Sequence, residues 1–276
     1  LPLFPAMRNK RSMLHIDNLC EFVSLLILSG EGGIYFPQNG EYSNTSELVQ
    51  EIAKVSGKKI YCTKLLNPMV GIALHIPGKI GGMAKKAFGS VVYSQKLSVY
   101  KGMNYQVRTW KESVVCTEGK ADLADGEVKK NKGKKRPVLI LVNHDVVIYN
   151  FRLELVERLL SDGYEVHISS PYGERIDDLI SLGAKYHEIN IDRHGMNPMA
   201  DISILKEYGK LISAIHPFIV LSYTIKPNIY GAMASRCRKI PFVANITGLG
   251  VAVENGGLKQ LLTVLLYRLS FQDIQR

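Results

Sequence analysis

Three apolar runs in the second half of this chain stop at clusters of residues able to hold a polar ligand. Val138–Val142 runs into Asn143, His144 and Asp145, with Tyr149, Asn150 and Arg152 close behind. Phe218–Tyr223 runs into Thr224, Lys226, Pro227 and Asn228. Phe242–Asn245 runs into Thr247, Gly248 and Gly250. Amides and hydroxyls suit sugar hydroxyls, a guanidinium grips phosphate bidentately, and a lysine meets it as a point charge. Glycine and a helix N-terminus bring backbone N–H groups up to an anion. Proton transfer has no such marker. The loops after Tyr223 and Asn245 carry no histidine, so no catalytic base is assigned. His144 and His194 read as hydrogen-bonding loop residues. The four cysteines stand far apart without a C-x-x-C pair, which argues against a metal site or a disulfide framework.

The runs that end in these clusters alternate with helical patterns. Strands are expected at Val138–Val142, Glu165–Ser169, Tyr186–Ile191, Phe218–Tyr223 and Phe242–Asn245. Helices are expected at Phe151–Ser161, Ile176–Leu182, Asp201–Ile215, Asn228–Arg236 and Gly257–Phe271. Such alternation predicts an α/β domain built on a doubly wound parallel sheet, with ligands outside the carboxyl ends of its strands.

The first half differs. It carries the whole of the chain's formal +10 charge, while acids and bases balance after Arg136. The basic run of 119–136 holds little that could enter a core and reads as a flexible linker, with contact to an anionic membrane surface as one further use. It lacks the interleaved aromatics of a nucleic-acid binder, so no nucleic-acid partner is expected. Before it, helices are expected after Asp17, over Thr45–Val55 and, interrupted, over 67–89, with short strands at Ile34–Pro37 and Lys59–Cys62. No glycine-rich dinucleotide fingerprint and no Tyr-x-x-x-Lys pair occurs. The start at Leu-Pro-Leu-Phe-Pro, without Met, suggests a fragment or a truncated frame.

The second half resembles the N-terminal domain of family 4 glycosyltransferases, as its V-N-H-D…Y-N-F-R, G-Y-E-V-H-I-S-S-P, T-I-K-P-N-I-Y-G and N-I-T-G-L-G segments show. It is similar to bacterial members that extend lipid-linked or surface-polysaccharide sugars. The resemblance covers roughly residues 137–272 of a domain read as 137–276 and implies one Rossmann-like half of a GT-B enzyme. In that family this half holds the acceptor, and a second domain holds the nucleotide-sugar donor, usually through an E-x(7)-E motif. Acceptor contacts then fall to Asn143, His144, Asp145, Tyr149, Asn150, Arg152, Thr224, Lys226, Asn228, Thr247, Gly248 and Gly250, with Arg193 facing an acceptor phosphate. Transfer would proceed with retention and without an essential metal.

Residues 1–118 resemble the C-terminal part of extended short-chain dehydrogenase/reductases, the NAD-dependent nucleotide-sugar epimerases and dehydratases. R-S-M-L-H-I-D-N-L at 11–19, G-I-Y-F-P-Q-N-G at 33–40 and Y-Q-V-R-T-W-K-E-S at 105–113 carry the likeness. It implies a small α+β substrate-binding piece in which Arg11 contacts the nucleotide diphosphate; from the residues themselves, His15 reads as a strand residue packed beside the sheet rather than a catalyst, and Asp17 as a helix cap rather than an acid. NAD and a nucleotide sugar belong to the full-length parents, and no cofactor is expected on this chain alone. The expectation is therefore a fused or fragmentary protein of polysaccharide biosynthesis. Its parent would move a sugar from a nucleotide donor to a polyprenyl-linked or saccharide acceptor, in the cytoplasm or peripherally at the inner face of the membrane. The alternative is a remnant that binds carbohydrate or lipid without turnover.

Overall fold

The computed structural model describes residues 2–118, 136–191, 198–246 and 257–272. They fall into two compact units. One takes the described residues up to 118 except Ile27–Gly33, and the other takes that short segment with everything from 136 onward. The stretch read as a linker lies outside the described residues, apart from Arg136.

The first unit is mostly helical. Strand β1 (Leu3–Pro5) pairs in parallel with β2 (Tyr61–Thr63). Around this pair lie helices α1 (Ile16–Ser29), α2 (Thr45–Val55), α3 (Asn67–His75), α4 (Lys79–Phe88) and α5 (Trp110–Glu118). The Asn44 side chain caps α2 by accepting from the Glu47 N–H at 2.8 Å, as a short polar residue at that position should. No strand forms at Ile34–Pro37. The Tyr35 ring instead packs edge-on against Phe22 and Tyr100, at 5.6 and 5.2 Å, so burial is met without a partner strand. Asp17 does not cap α1 from outside. It lies in the first turn and forms an ion pair with Arg108.

The second unit is a doubly wound α/β domain. In chain order come β3 (Pro137–Leu141), α6 (Asp145–Ser161), β4 (Glu165–Ser170), α7 (Ile176–Ser181) and β5 (Lys185–Glu188). Then follow α8 (Pro198–Ile215), β6 (Ile219–Tyr223), α9 (Ile225–Arg236), β7 (Phe242–Asn245) and α10 (Gly257–Ser270). All five strands are parallel, in the order β5-β4-β3-β6-β7. Val138–Leu141 are wholly buried, which explains why β3 reads as an unbroken apolar run rather than an alternating one. One face of the sheet takes Ile204, Tyr208 and Ile212 of α8 and Ile229, Tyr230 and Ala234 of α9. Gly231 lets α9 lie close, because a Cβ there would come within 2.7 Å of Leu141 Cδ1.

Winding runs outward from β3 to β4 and β5, then returns to β6 and β7. Strand order therefore reverses between β3 and β6, and the chain leaves their carboxyl ends in opposite directions, opening a crevice there. Two helices start earlier than the pattern suggests. α6 begins at Asp145 rather than Phe151, and α9 at Ile225 rather than Asn228. The beginning of α6 is hidden by Val146 and Val147, poor helix formers, and by an unusual cap, His144. The third strand is also shorter than expected, ending at Glu188 instead of Ile191.

Candidate functional site at the carboxyl edge of the sheet

The crevice is built first by the end of β6. Thr224 has φ 76 and ψ 161, a region that only glycine occupies without strain, at a cost of about 1–3 kcal/mol. Its hydroxyl is buried and has no hydrogen-bond partner. Across the reversal point, the side-chain oxygen of Asn143, just past β3, is also buried and unpartnered. Buried polar atoms usually find a partner, so two orphaned ones side by side make this end of the sheet the candidate ligand site.

The second wall is α6. His144 has extended backbone (φ −166), accepts the Val146 N–H through Nδ1 at 3.2 Å and contacts the Asp145 carboxylate. Asp145 is buried, and burial alone would raise its pKa. The N–H groups of Arg175 and Val146, with His144 beside it, outweigh that and hold the carboxyl below its ordinary value. The Arg175 N–H donates to Asp145 at 3.0 Å. A Cβ at Gly173 would overlap the same carboxylate. Asp145 thus pins the loop after β4 to the start of α6.

Tyr149 and Arg152 follow one turn apart on α6, so they share a face. The Arg152 guanidinium lies over the Tyr223 ring at 5.0 Å, and that of Arg175 lies over Tyr149 at 3.5 Å. Both Nε atoms are buried without a partner. Asn150 lies on the same helix but is exposed.

Two expected ligand residues face inward instead. The Lys226 ammonium pairs with Asp201 of α8 at 2.8 Å, both largely shielded from solvent. Asn228 is 1% exposed; it accepts from Ser222 at 2.8 Å and donates to the Asn245 carbonyl at 3.3 Å, and the Tyr267 side chain bonds to it as well. It ties β6, β7 and α10 together. Arg193, His194, Thr247, Gly248 and Gly250 lie outside the described residues. Sequence reasoning passed over Gly173 and Arg175, although Pro171-Tyr-Gly-Glu-Arg175 directly follows a strand as the other clusters do.

In the first unit, the Arg11 guanidinium donates to the carbonyls of Lys86 and Ala87, at 2.7 and 3.1 Å, closing the last turn of α4. Among the described residues, His15, Asp17 and Cys116 bring potential metal-ligand atoms within 4.8 Å of one another. Arg108 already occupies the Asp17 carboxylate, so that group favours an ion pair over a cation.

Comparison with known proteins bears on the second unit. A family model described as "Glycosyl transferase 4-like" matches residues 137–276. The N,N'-diacetylbacillosaminyl-diphospho-undecaprenol alpha-1,3-N-acetylgalactosaminyltransferase of Campylobacter jejuni is 28% identical over 130 residues, covering 45% of this chain and 35% of that protein. The chain thus spans about a third of the length of this curated relative. Among solved structures, a glycosyltransferase from Rickettsia africae overlaps 45% of this chain and 33% of its own, at 17% identity and a TM-score of 0.38. A UDP-GlcNAc 2-epimerase from Neisseria meningitidis bound to UDP-GlcNAc overlaps 50% and 43%, at 16% identity and a TM-score of 0.36.

Proposed function

The chain belongs to the glycosyl transferase 4-like family through residues 137–276, and on that premise we propose that its second unit is the acceptor-holding half of a glycosyltransferase. The reaction is transfer of a hexosyl or N-acetylhexosaminyl group from a nucleotide sugar to a polyprenyl-linked or saccharide acceptor. The observation that carries this reading is the strained, unpartnered Thr224 opposite the unpartnered Asn143, at the point where strand order reverses. Those two atoms accept from or donate to acceptor hydroxyls, and the α6 face with Tyr149 and Arg152 forms the floor. The relative's name, which specifies an N-acetylgalactosaminyltransferase and a diphospho-undecaprenol-linked sugar, supports a lipid-linked acceptor. Such an acceptor requires the domain to work against a bilayer, as a peripheral protein. The first unit, by its sequence likeness, is the substrate-binding remnant of a nucleotide-sugar epimerase or dehydratase.

The test is acceptor binding by the chain, followed by ligand-observed NMR with a short-chain polyprenyl-diphospho-N-acetylhexosamine. Binding that weakens in Asn143→Ala supports the reading. No binding of that probe or of free oligosaccharide would overturn it. Binding without turnover is a second reading. It is favoured by His144, whose Nδ1 is engaged by the Val146 N–H and the Asp145 carboxylate. Radiolabelled transfer from UDP-N-acetylhexosamines separates the two.

A further inference from the structure

We infer that Arg152 and Arg175 form a clamp for a diphosphate ester on the α6 wall of the crevice. Each guanidinium lies over an aromatic ring, Arg152 over Tyr223 at 5.0 Å and Arg175 over Tyr149 at 3.5 Å. The ring contact holds each charged group in place without using up its hydrogen-bond donors. On both residues Nε is buried and unpartnered, so each leaves a charged donor unsatisfied, one on α6 and one in the loop after β4. Oxygens of a phosphate are the acceptors that a forked, planar donor fits best, and two such forks suit two linked phosphates.

The competing contacts are weak. Arg175 pairs with Asp178 at 3.0 Å, but both side chains are 40% or more exposed, and such pairs contribute about 0–1 kcal/mol. Arg152 donates Nη1 to the Phe151 carbonyl at 2.5 Å, a contact that leaves Nη2 for a ligand. The nearby Asp145 carboxylate is covered by His144, the Arg175 N–H and Gly173. Asp145 is a positioning residue here, since it fixes the backbone of Arg175 and so the seat of its side chain.

The ester has two chemical sources, a polyprenyl diphosphate or a nucleoside diphosphate. The choice between them rests on the acceptor reading above, whereas the clamp itself does not. Calorimetric titration of the chain with inorganic pyrophosphate tests the clamp directly, with inorganic phosphate as the control. Pyrophosphate is expected to bind, and Arg152→Gln and Arg175→Gln each to weaken it about tenfold or more. The charge-preserving Arg152→Lys and Arg175→Lys guard against misfolding, checked by circular dichroism, and are expected to recover only part of the loss. Unchanged pyrophosphate affinity in folded glutamine variants, or equal affinity for phosphate and pyrophosphate, would overturn the clamp. Farnesyl diphosphate and UDP then name the source, since the one whose binding depends on both arginines is the ester held. Arginine-dependent pyrophosphate binding with no binding of the lipid-linked sugar keeps the clamp and removes the acceptor reading. Lipid-linked sugar bound equally by the variants does the reverse.

Discussion

Thr224 is the residue where stability and ligand contact oppose each other. Its backbone lies where a β-branched side chain is disfavoured, and its hydroxyl has no internal partner to repay the strain. Thr224→Gly should therefore raise the free energy of unfolding, by about 1 kcal/mol or somewhat more, while weakening acceptor binding. Denaturant titration reads the first and NMR the second; a destabilised glycine variant would show that the conformation is not strained. Gly173 makes the opposite case. A Cβ there overlaps the Asp145 carboxylate, so Gly173→Ala must displace the loop carrying Arg175, at a cost of about 1–3 kcal/mol. Chemical denaturation checks the cost, and full wild-type stability would mean that the loop gives way freely. Asp145, held below the ordinary carboxylate range, adds stability that is present above its unfolded pKa and lost as pH falls through the lowered value. None of these three roles could be read from residue type. A threonine at positive φ and a glycine against a carboxylate look like any loop residues until the backbone is placed.

At the scale of elements, β4 and β5 carry a polar chain on one face. Lys185 donates to Glu165 at 2.6 Å, Glu165 meets His167 Nε2 at 2.7 Å, and His167 Nδ1 lies 2.8 Å from His187 Nε2. One hydrogen must sit between the two rings, so only one of the facing nitrogens is protonated. Burial first, then His167 and Lys185, push the His187 pKa below its usual value. The unfolded chain therefore takes up this proton at a higher pH than the native one. Stability from His187 is full above the ordinary histidine pKa and falls as pH drops from there through the lowered value. Thermal melts from pH 7.5 to 5 should show a decline that His187→Gln flattens. A variant with the same pH slope as wild type would remove His187 from the account. The elements themselves were largely legible, because strands buried on both faces leave unbroken apolar runs and Asn44 announces α2. Legibility failed where tertiary contacts overrode local pattern. Ile34–Pro37 has strand-like residues but packs as an aromatic cluster, and α6 starts behind two valines. It failed again for Lys226 and Asn228, whose types fit a ligand loop but whose partners, Asp201 and Asn245, lie on other elements.

At the scale of the whole molecule, the question is how a domain acting on a lipid-linked sugar would reach it. No described helix is long and apolar enough to cross a membrane. α10 offers another route. Leu266 and Tyr267 pack on the core of the second unit, and Ser270 is buried. Leu261, Leu265 and Leu269 form an exposed stripe at four-residue spacing, 65%, 50% and 39% accessible, with Leu262 beside it. The sequence shows only that this helix has more leucines than one buried stripe needs; the structure shows which of them remain uncovered. Fourteen residues rise about 21 Å, short of the ~30 Å apolar thickness of a bilayer, so the stripe suits lying in the interface rather than spanning it. The first half's excess of basic residues adds attraction to anionic headgroups, screened beyond about 8 Å at physiological salt. Vesicle sedimentation at low salt should therefore show binding to anionic lipid, weaker binding to neutral lipid, and a loss as salt rises. Leu261→Ser with Leu265→Ser should reduce binding to both lipids without altering the melting temperature, since neither side chain belongs to the core. If the double variant sediments with vesicles as wild type does, the leucine stripe has no part in membrane contact and any residual binding is electrostatic alone.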